Sequence, residues 1–513
     1  MSRPDVTSFD YVVVGAGTAG CVLARRLLDS TDGTVLVVEA GGRPDGLPTV
    51  EDPTRWVENI GAAHDWGYVY TPTEHTAGRS LFLSRGRVLG GSGSTNALVW
   101  VRGQRQDFDG WAAAGNAGWD YESVLPYFRR SEDWQGGVSA YRGAGGPVRL
   151  ERSGAQHPVA SALIESALSY RMPYLDDINT PEPVGAGPIN IAAAGGRRTS
   201  TWTGHLQPVL DSERLTVLTG AEVTRLHLAG SRCTGVEFVQ DGVTGQATAT
   251  REVVLSAGAI NSPKLLLTSG IGPADQLRSV GVEVRHDLPG VGANLQEHPI
   301  LAGLCFTAAE PLPPFQDNLE GSAAFWRSDP AMPVPDLQFV SVQIPYVSPE
   351  IAARYPVPPN SFVLAPGLMV VRSRGHLRLT GAAPDAPLDI QPNLLADPAD
   401  VAALVRGVEI GLELAAQPAF SKLIGAWVAP NQPLDAAGSE DFVRQAAMPY
   451  FHPVGTCAMG VDEAAVVDAE LRVRGLEGLR IADASVMPTI TSANTNAATA
   501  MIAEKAADLI AAG

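Results

Sequence analysis

The stretch DYVVVGAGTAGCVLARRLLDSTDGTVLVVEAGG, from Asp10 to Gly42, leaves a chain few folds to choose from. Tyr11 to Val14 is an apolar, β-branched run of the length of a buried parallel strand. Gly15, Gly17 and Gly20 follow as a GxGxxG, with Thr18 and Ala19 between the second and third glycines. A helical pattern runs from Thr18 to about Asp29, with Cys21, Ala24, Leu27 and Leu28 on one face. A second strand, Thr34 to Val38, ends in Glu39. Strand, glycines, helix, strand and acid in this register make a βαβ unit that binds a dinucleotide. Gly15 makes the turn, Gly17 lets backbone N–H groups approach a pyrophosphate, and Gly20 lets the helix pack closely. The helix N-terminus faces the phosphates, and Glu39 accepts from a ribose hydroxyl. On this stretch alone NAD and FAD are equally open.

At 513 residues the chain exceeds a single core, so two closely associated domains are expected. Its formal net charge of −18 argues against nucleic acid and against an anionic membrane surface. No apolar run reaches the roughly 18 residues of a membrane span. The first strand begins too close to Met1 for a signal peptide to fit ahead of it. Cys21, Cys233, Cys305 and Cys457 are scattered without a CxxC, so neither a disulfide framework nor a zinc site is expected. A reducing cytoplasm is the simplest compartment.

Further along, Ser84 to Ala97 is a run of small residues that includes Arg87, Gly90, Gly91 and Asn96. Such a run lets backbone lie flat against a planar group or donate N–H groups to an anion. Residues 107 to 134 read as a surface helical segment anchored by Trp111, Trp119, Tyr121, Leu125 and Phe128. Arg197 to Thr201 reads as a polar turn rather than a phosphate site. Strands return over 215–255, and Ser256 to Pro263, with Ala257, is a strand-to-helix passage. Residues 300–395 alternate extended apolar segments with Pro-rich turns, which suits an antiparallel sheet. Pro398 to Leu414 is an amphipathic helix.

The chemistry-bearing residues come late. Tyr450-Phe451-His452-Pro453 places a histidine among aromatics with few polar partners, so its imidazole can be held neutral as a base. Taken alone, it reads more readily as a core histidine, and His298 before Pro299 as a structural one. Asp483 and Ala484 end a short strand. Asn494, Thr495 and Asn496 open the last helix, where they serve as caps or direct the helix N-terminus at a flavin.

Taken together, GAGTAG with Glu39, Gly86 to Asn96, Gly258 to Gly272, GVGANLQEHP, HPVGTCAMG and NTNAATAMIAEKAADLI resemble the glucose-methanol-choline (GMC) flavin oxidoreductases over essentially the whole chain. The resemblance implies non-covalent FAD, because Thr95 stands where some members carry a histidine linked to the flavin. It implies an α/β, Rossmann-like FAD-binding domain (1–150, 215–300 and 445–513). This is interleaved with a substrate domain (151–214 and 301–444) built on an antiparallel sheet with helices, α+β overall. Carried over, His452 matches the catalytic base and Asn494 its partner. Gly15, Gly17, Thr18, Ala19, Gly20, Glu39 and Ala40 match the ADP side, and Val223 an adenine contact. Arg87, Gly90, Gly91, Asn96, Ala97 and Val99 match the flavin wall. Ala257, Asp483 and Ala484 match the pyrophosphate region, and Thr495 and Asn496 the flavin end. Glu297 and Ala458 depart from the Asp and Arg common there.

The activity implied is oxidation of a primary, aryl, furanyl or other apolar alcohol to the aldehyde by hydride transfer to flavin N5. Electrons then pass to O2 or another acceptor, in a monomer or homodimer. Tyr450, Phe451, Phe339 and Trp326 are the pocket candidates. A hydroxynitrile-lyase-type non-redox flavoprotein and a choline or polyol dehydrogenase are the alternatives, the former sharing the fold and the latter needing a cation site for which Glu320 is available.

Overall fold

The computed structural model describes residues 8–154 and 157–513. The N-terminal segment on which the signal-peptide expectation rests, residues 1–7, lies outside them. The βαβ unit forms as the pattern requires: strand Ser8–Val14, helix Thr18–Ser30 and strand Val35–Val38. Val12, Val13 and Val35 to Val37 are fully buried, as strands covered on both faces should be. Strand Leu215–Leu218 lies outside Val35–Val38, and both run parallel to Ser8–Val14.

On the other side lies the long strand Val243–Leu255, which does two jobs. Its first half closes an antiparallel hairpin with Arg232–Gln240, and Ala221–Ala229 follows outside that. Its second half runs parallel to Ser8–Val14, and its last three residues also pair with Leu479–Ile481. The polypeptide thus returns to the nucleotide sheet hundreds of residues later, and its last helix, Asn496–Ala512, packs on helix Thr18–Ser30.

Glu504 of that last helix fastens this packing. Its buried carboxylate accepts from Arg26 Nε at 2.8 Å, Arg130 Nε at 2.6 Å and Ser131 Oγ at 3.2 Å, and faces His205 Nε2 at 3.1 Å. Burial raises its pKa, but His205 and Arg26 together outweigh burial and hold it at about 2. A depressed carboxyl contributes its full stability above its ordinary 4.5 and loses it as pH falls toward 2. Glu504→Gln is therefore expected to cost about 2 kcal/mol at neutral pH. Its melting-temperature gap to the wild type should close between pH 4.5 and 2; a gap constant with pH would contradict the charge argument.

The second sheet is antiparallel, in the order Ile424–Ala429, Leu304–Ala308, Ser361–Leu368, Leu337–Val342, Ser322–Trp326 and Gly185–Pro188. Helix Pro398–Ala415 starts at Asp397, whose carboxylate accepts from Ala399 N at 2.8 Å, and crosses one face. Gly407 and Gly411 let it lie close against Leu337, Phe339 and Leu304. The opposite face meets the nucleotide sheet across a deep cleft.

Residues 107–134 are not one surface segment. They form two helices, Arg105–Ala113 and Tyr121–Ser131, with Trp111, Trp119, Tyr121 and Phe128 almost fully buried. The second packs on the last helix. Arg197 and Arg198 are not a turn but one strand of a short hairpin, paired with Ala193 and Ala194, and Arg198 is buried and donates to Asn96 O at 2.6 Å and Asn96 Oδ1 at 2.8 Å. That arginine holds the glycine-rich segment in place. Among the described residues no helix is long and apolar enough to cross a membrane.

Candidate active site

The cleft between the sheets is a cavity of about 2190 Å³, its open mouth included, whose lining runs from Glu39 and Val223 to His452 and Asn494. At one end Glu39 closes the βαβ unit. Its carboxylate accepts from Ala16 N at 2.8 Å and Gly41 N at 2.7 Å, and Val223 lines the same region. In the middle lies the start of helix Thr18–Ser30, whose N-cap, Gly17, has no side chain to spend on the first N–H groups. The last helix also starts uncapped by any side chain, and Thr18 Oγ1 donates to Asn496 Oδ1 at 2.7 Å, joining the two starts. Two helix N-termini with unspent donors face one cavity, as an anionic cofactor requires. Gly91 sits at φ +52°, so close that a Cβ there would lie 2.8 Å from Gly17 Cα. Asp483 lines the wall, but its carboxylate is already engaged by Gly258 N, Ser262 Oγ and Ser485 N. It shapes the site rather than offering a free anion.

At the far end two histidines meet. His298 and His452 lie 154 residues apart in sequence, and a short ladder brings them together. Strand Pro299–Leu301 pairs antiparallel with Ala447–Pro449, in the register Pro299 with Pro449. A second bridge joins Gln296 and Val454. Between these two closures, Glu297 and His298 on one side face four residues, Tyr450 to Pro453, on the other. The longer side bulges, and Phe451 takes the strain at φ 63°. Arg85 clamps it by donating to Phe451 O at 2.9 Å. Glu297 fills the bulge: Oε1 accepts from His452 N at 2.6 Å and His298 N at 3.0 Å, while Oε2 accepts from Tyr70 Oη at 2.7 Å. Burial raises its carboxyl to about 7. Glutamate thus supports both histidine backbones at the position where the family pattern favours aspartate.

The hydrogen bonds assign the ring protons. His298 Nε2 faces Met369 O at 3.1 Å, and a carbonyl only accepts, so Nε2 carries hydrogen. His298 Nδ1 is then a lone pair, and it faces His452 Nδ1 at 3.0 Å, which must donate. His452 Nε2 is left without a proton, as an acceptor. It faces Asn494 Nδ2 at 3.3 Å, and Gln338 Nε2 donates to Asn494 Oδ1 at 3.3 Å, which sets the amide. Burial lowers the pKa of His452 well below 6.5, helped by His298 and Arg85, and burial lowers His298 to about 3. The arrangement presents a neutral imidazole lone pair and an amide donor to one point of the cavity.

Of the residues singled out from sequence, Gly15, Gly17, Thr18, Ala19, Glu39, Ala40, Gly91, Asn96, Ala97, Val99, Val223 and Ala257 line this cavity. So do Asp483, Ala484, Asn494, Thr495, Asn496, Tyr450, Phe451 and His452. Gly20 and Gly90 stand behind the wall, where a Cβ would strike Gly15 O at 1.9 Å and Ser94 Oγ at 2.0 Å. Arg87 lies over the Trp66 ring at 4.8 Å, outside the lining.

Phe339 and Trp326 are corrections, since neither belongs to the cavity wall. Side chains alternate along Leu337–Val342, and Val340 and Val342 line the cavity while Gln338 reaches Asn494. Phe339 therefore points the other way, against Gly411 of the crossing helix. Trp326 ends its strand opposite Leu337, away from the cleft. Sequence reasoning took His298 as structural and Arg198 as part of a polar turn, and it did not single out Gln338. The His-Pro pair was the one visible signal for the first.

Known proteins resemble this chain over nearly its whole length. The GMC oxidoreductase family models match residues 9–300 (N-terminal) and 371–503 (C-terminal). Mitochondrial choline dehydrogenase of Mus musculus is 38% identical over 540 residues, covering 98% of this chain and 89% of that protein. Oxygen-dependent choline dehydrogenase of Paraburkholderia xenovorans is 38% identical over 534 residues, covering 98% and 94%. The crystal structure of pyridoxine 4-oxidase from Mesorbium loti superposes with a TM-score of 0.93 at 34% identity, covering 97% of this chain and 98% of that one. With both family models on the chain and relatives matching it end to end, FAD-dependent oxidation of an alcohol is the activity this fold carries, and the chain belongs to the GMC oxidoreductase family.

Proposed function

We propose that this chain oxidises a small primary alcohol to the aldehyde, with His452 as the general base and Asn494 as the oxygen-binding partner. The observation that carries this reading is the unprotonated Nε2 of His452 beside the Asn494 amide, in a cavity whose other end fits a dinucleotide. The residues fit FAD: Glu39 and Val223 would hold the adenosine, the two uncapped helix starts the pyrophosphate and flavin, and Asn96 to Val99 one flavin wall. Thr95 offers no nitrogen for a covalent link, so FAD is held non-covalently. Bound FAD supplies the acceptor for the carbinol hydride.

This chain's own residues handle the proton. His452 Nε2 takes it from the hydroxyl, and Asn494 Nδ2 donates to the oxygen left negative. The new imidazolium keeps its Nδ1–H on His298, which in turn is held by Met369 O. Pro449, Tyr450, Phe451 and Ile300 crowd water from the carbinol end. Four buried, unpaired cysteines fit a cytoplasmic setting.

Anaerobic mixing with an alcohol tests the function: bleaching of the flavin is expected. Substrate cleavage with the flavin still oxidised would instead mean a lyase. His298 is a positioning residue in this scheme. His298→Ala should slow flavin reduction about tenfold. It should also move the acid limb of the rate upward, because His298 helps hold the pKa of His452 down. Asn at position 298 accepts and donates as His298 does, so His298→Asn should recover most of the loss. An unchanged acid limb in the alanine variant would count against the positioning role.

A further inference from the structure

Asn494 reaches His452 from a segment that has no regular structure of its own. Between the single turn Ala484–Val486 and the last helix, Asn496–Ala512, residues 487–495 form neither helix nor strand. Yet Thr491 to Thr495 are all buried, and the segment acts on both histidines. The Asn494 amide lies 3.3 Å from His452 Nε2, and the carbonyls of Met369 and Thr491 hold up the pKa of His298 against burial. A backbone without ladder partners keeps a fixed shape only through side chains that reach its N–H and C=O groups.

Three sets of side chains do so. Asn294 Nδ2 and Gln296 Nε2 donate to Pro488 O at 3.0 and 3.1 Å, and Gln296 Oε1 accepts from Ile490 N at 3.1 Å. Trp111 Nε1 donates to Thr489 O at 3.0 Å. Nearest of the three to Asn494 is Asp107, which shares helix Arg105–Ala113 with Trp111. A single oxygen, Asp107 Oδ2, accepts from Ser492 N at 2.9 Å, Ser492 Oγ at 2.7 Å and Gln104 N at 2.8 Å. It joins the start of its own helix to a segment 385 residues away in sequence. The two lie in close contact at Gly103, where φ is 95° and a Cβ would stand 2.7 Å from Asp107 Oδ2 and 3.2 Å from Thr491 Cβ.

Capping the helix needs only the Gln104 bond. The two bonds to Ser492 go beyond it. Burial raises the Asp107 carboxyl to about 6, and the Ser492 and Gln104 donors draw it back. Bonds to a carboxylate are shorter and stronger than bonds to a neutral acceptor, so this tether resists stretching more than those from Gln296 and Trp111.

We propose that Asp107 is a positioning residue for Asn494: by fixing Ser492 to helix Arg105–Ala113, it holds the Asn494 amide at the point where the carbinol oxygen turns negative. Asp107 lies outside the cavity lining and acts only through the segment. Gln338 turns the amide, and Asp107 sets where the backbone beneath it stands. The inference rests on the oxygen-binding role proposed for Asn494.

Asp107→Ala is expected to slow flavin reduction at saturating alcohol about tenfold, because a displaced amide no longer meets the developing charge. The loss should fall on the rate, with the half-saturating alcohol concentration changed less than about twofold. Asp107→Asn keeps an acceptor oxygen without the charge and should stand between alanine and the wild type. A double-mutant cycle reads the route of the effect. In an Asn494→Ala background, Asp107→Ala should slow reduction by no more than about twofold further, since the amide it positions is gone. Ser492→Ala removes the shortest of the three bonds and keeps the backbone one. It should slow reduction about threefold, again only while Asn494 is present, and it serves where Asp107→Ala folds poorly. A residue that merely held the fold together would lower the melting temperature and the flavin content, and its effect would multiply with that of Asn494→Ala. Multiplying effects, or unslowed reduction in the Asp107 and Ser492 variants, would overturn the proposal.

The nitrogen-15 shift of His452 Nε2 separates this proposal from the one beneath it. It is read in FAD-loaded protein labelled at histidine, is assigned by its loss in His452→Ala, and needs no turnover. Asp107→Ala should move it toward its value in Asn494→Ala. That movement, with no alcohol able to bleach the flavin, would sink the proposed oxidation and not the positioning. Bleaching by alcohols, with both shift and rate unmoved by Asp107→Ala, would sink the positioning alone.

Discussion

His452→Ala is expected to slow flavin reduction at saturating alcohol between about a hundredfold and ten-thousandfold, the range in which a positioned general base acts. Its flavin content should stay near that of the wild type. The cofactor end of the cavity and the two histidines are built from different parts of the chain, so losing the imidazole leaves the helix starts and Glu39 untouched. The imidazole offers one lone pair, at Nε2, because His298 has taken up Nδ1. Without it, hydroxyl deprotonation falls to water or to the Asn494 amide, and an amide is no base at neutral pH. The pH profile of the wild type adds a second reading. Burial lowers the pKa of His452 well below 6.5, so the base is already neutral at that pH, and the acid limb should lie below 6.5 rather than at it. Flavin reduction within about tenfold of wild type in His452→Ala would remove this residue from the chemistry.

How much of this was legible beforehand depends on how local the signal is. The βαβ unit and the last helix announce themselves through periodicity inside a window of about 15 residues, and the structure lengthens the first strand and the helices while starting the second strand at Val35. The histidine pair does not. His452 is marked by its HPVGTCAMG motif and His298 only by the proline after it; what makes them a pair is the register of Pro299 against Pro449. A ladder closed over so many residues leaves no local trace. The pocket failed for a different reason. Leu337–Val342 is buried on both faces, with Gln338 polar on one and Ser341 on the other, so alternation gives no sign of which face meets the cavity. Phe339 was the plausible choice by size, and it faces the helix instead.

The turn around Glu320 hides its surroundings in a different way. Asp317-Asn318-Leu319-Glu320-Gly321 has the composition of a solvent-facing turn. Its burial comes from three hydrogen bonds that reach far along the chain, from Asn318 to Ala97, from Trp56 to Asn318, and from Ser341 to Glu320. Composition describes a turn's conformation well and its surroundings poorly. Functional groups on such turns are read correctly only once the sheets that enclose them are in place.

Gly20→Ala is expected to yield protein nearly free of FAD. The added Cβ would lie 1.9 Å from Gly15 O and 2.9 Å from Gly15 C, both backbone atoms, so no side-chain rotation relieves the overlap. Gly15 cannot retreat, because its N–H donates to Val38 O at 2.8 Å and a Cβ of its own would already meet Ser256 O. The helix start must therefore move away from the turn, and with it the donors aimed at the cofactor. Overpacking of this kind also costs stability, about 1–3 kcal/mol or more, so the melting temperature should fall with the ratio of flavin to protein absorbance. Gly17→Ala is the companion that separates the two effects. Its Cβ meets nothing nearer than Gly91 Cα at 3.9 Å, and its φ of −72° suits alanine. The apoprotein should melt within about 0.5 kcal/mol of wild type. Its FAD should nevertheless bind more weakly, because the methyl group stands where backbone must approach the pyrophosphate. Full FAD occupancy in Gly20→Ala would show that the helix start is free to shift without losing the site, and would move the anchoring role elsewhere in the cavity.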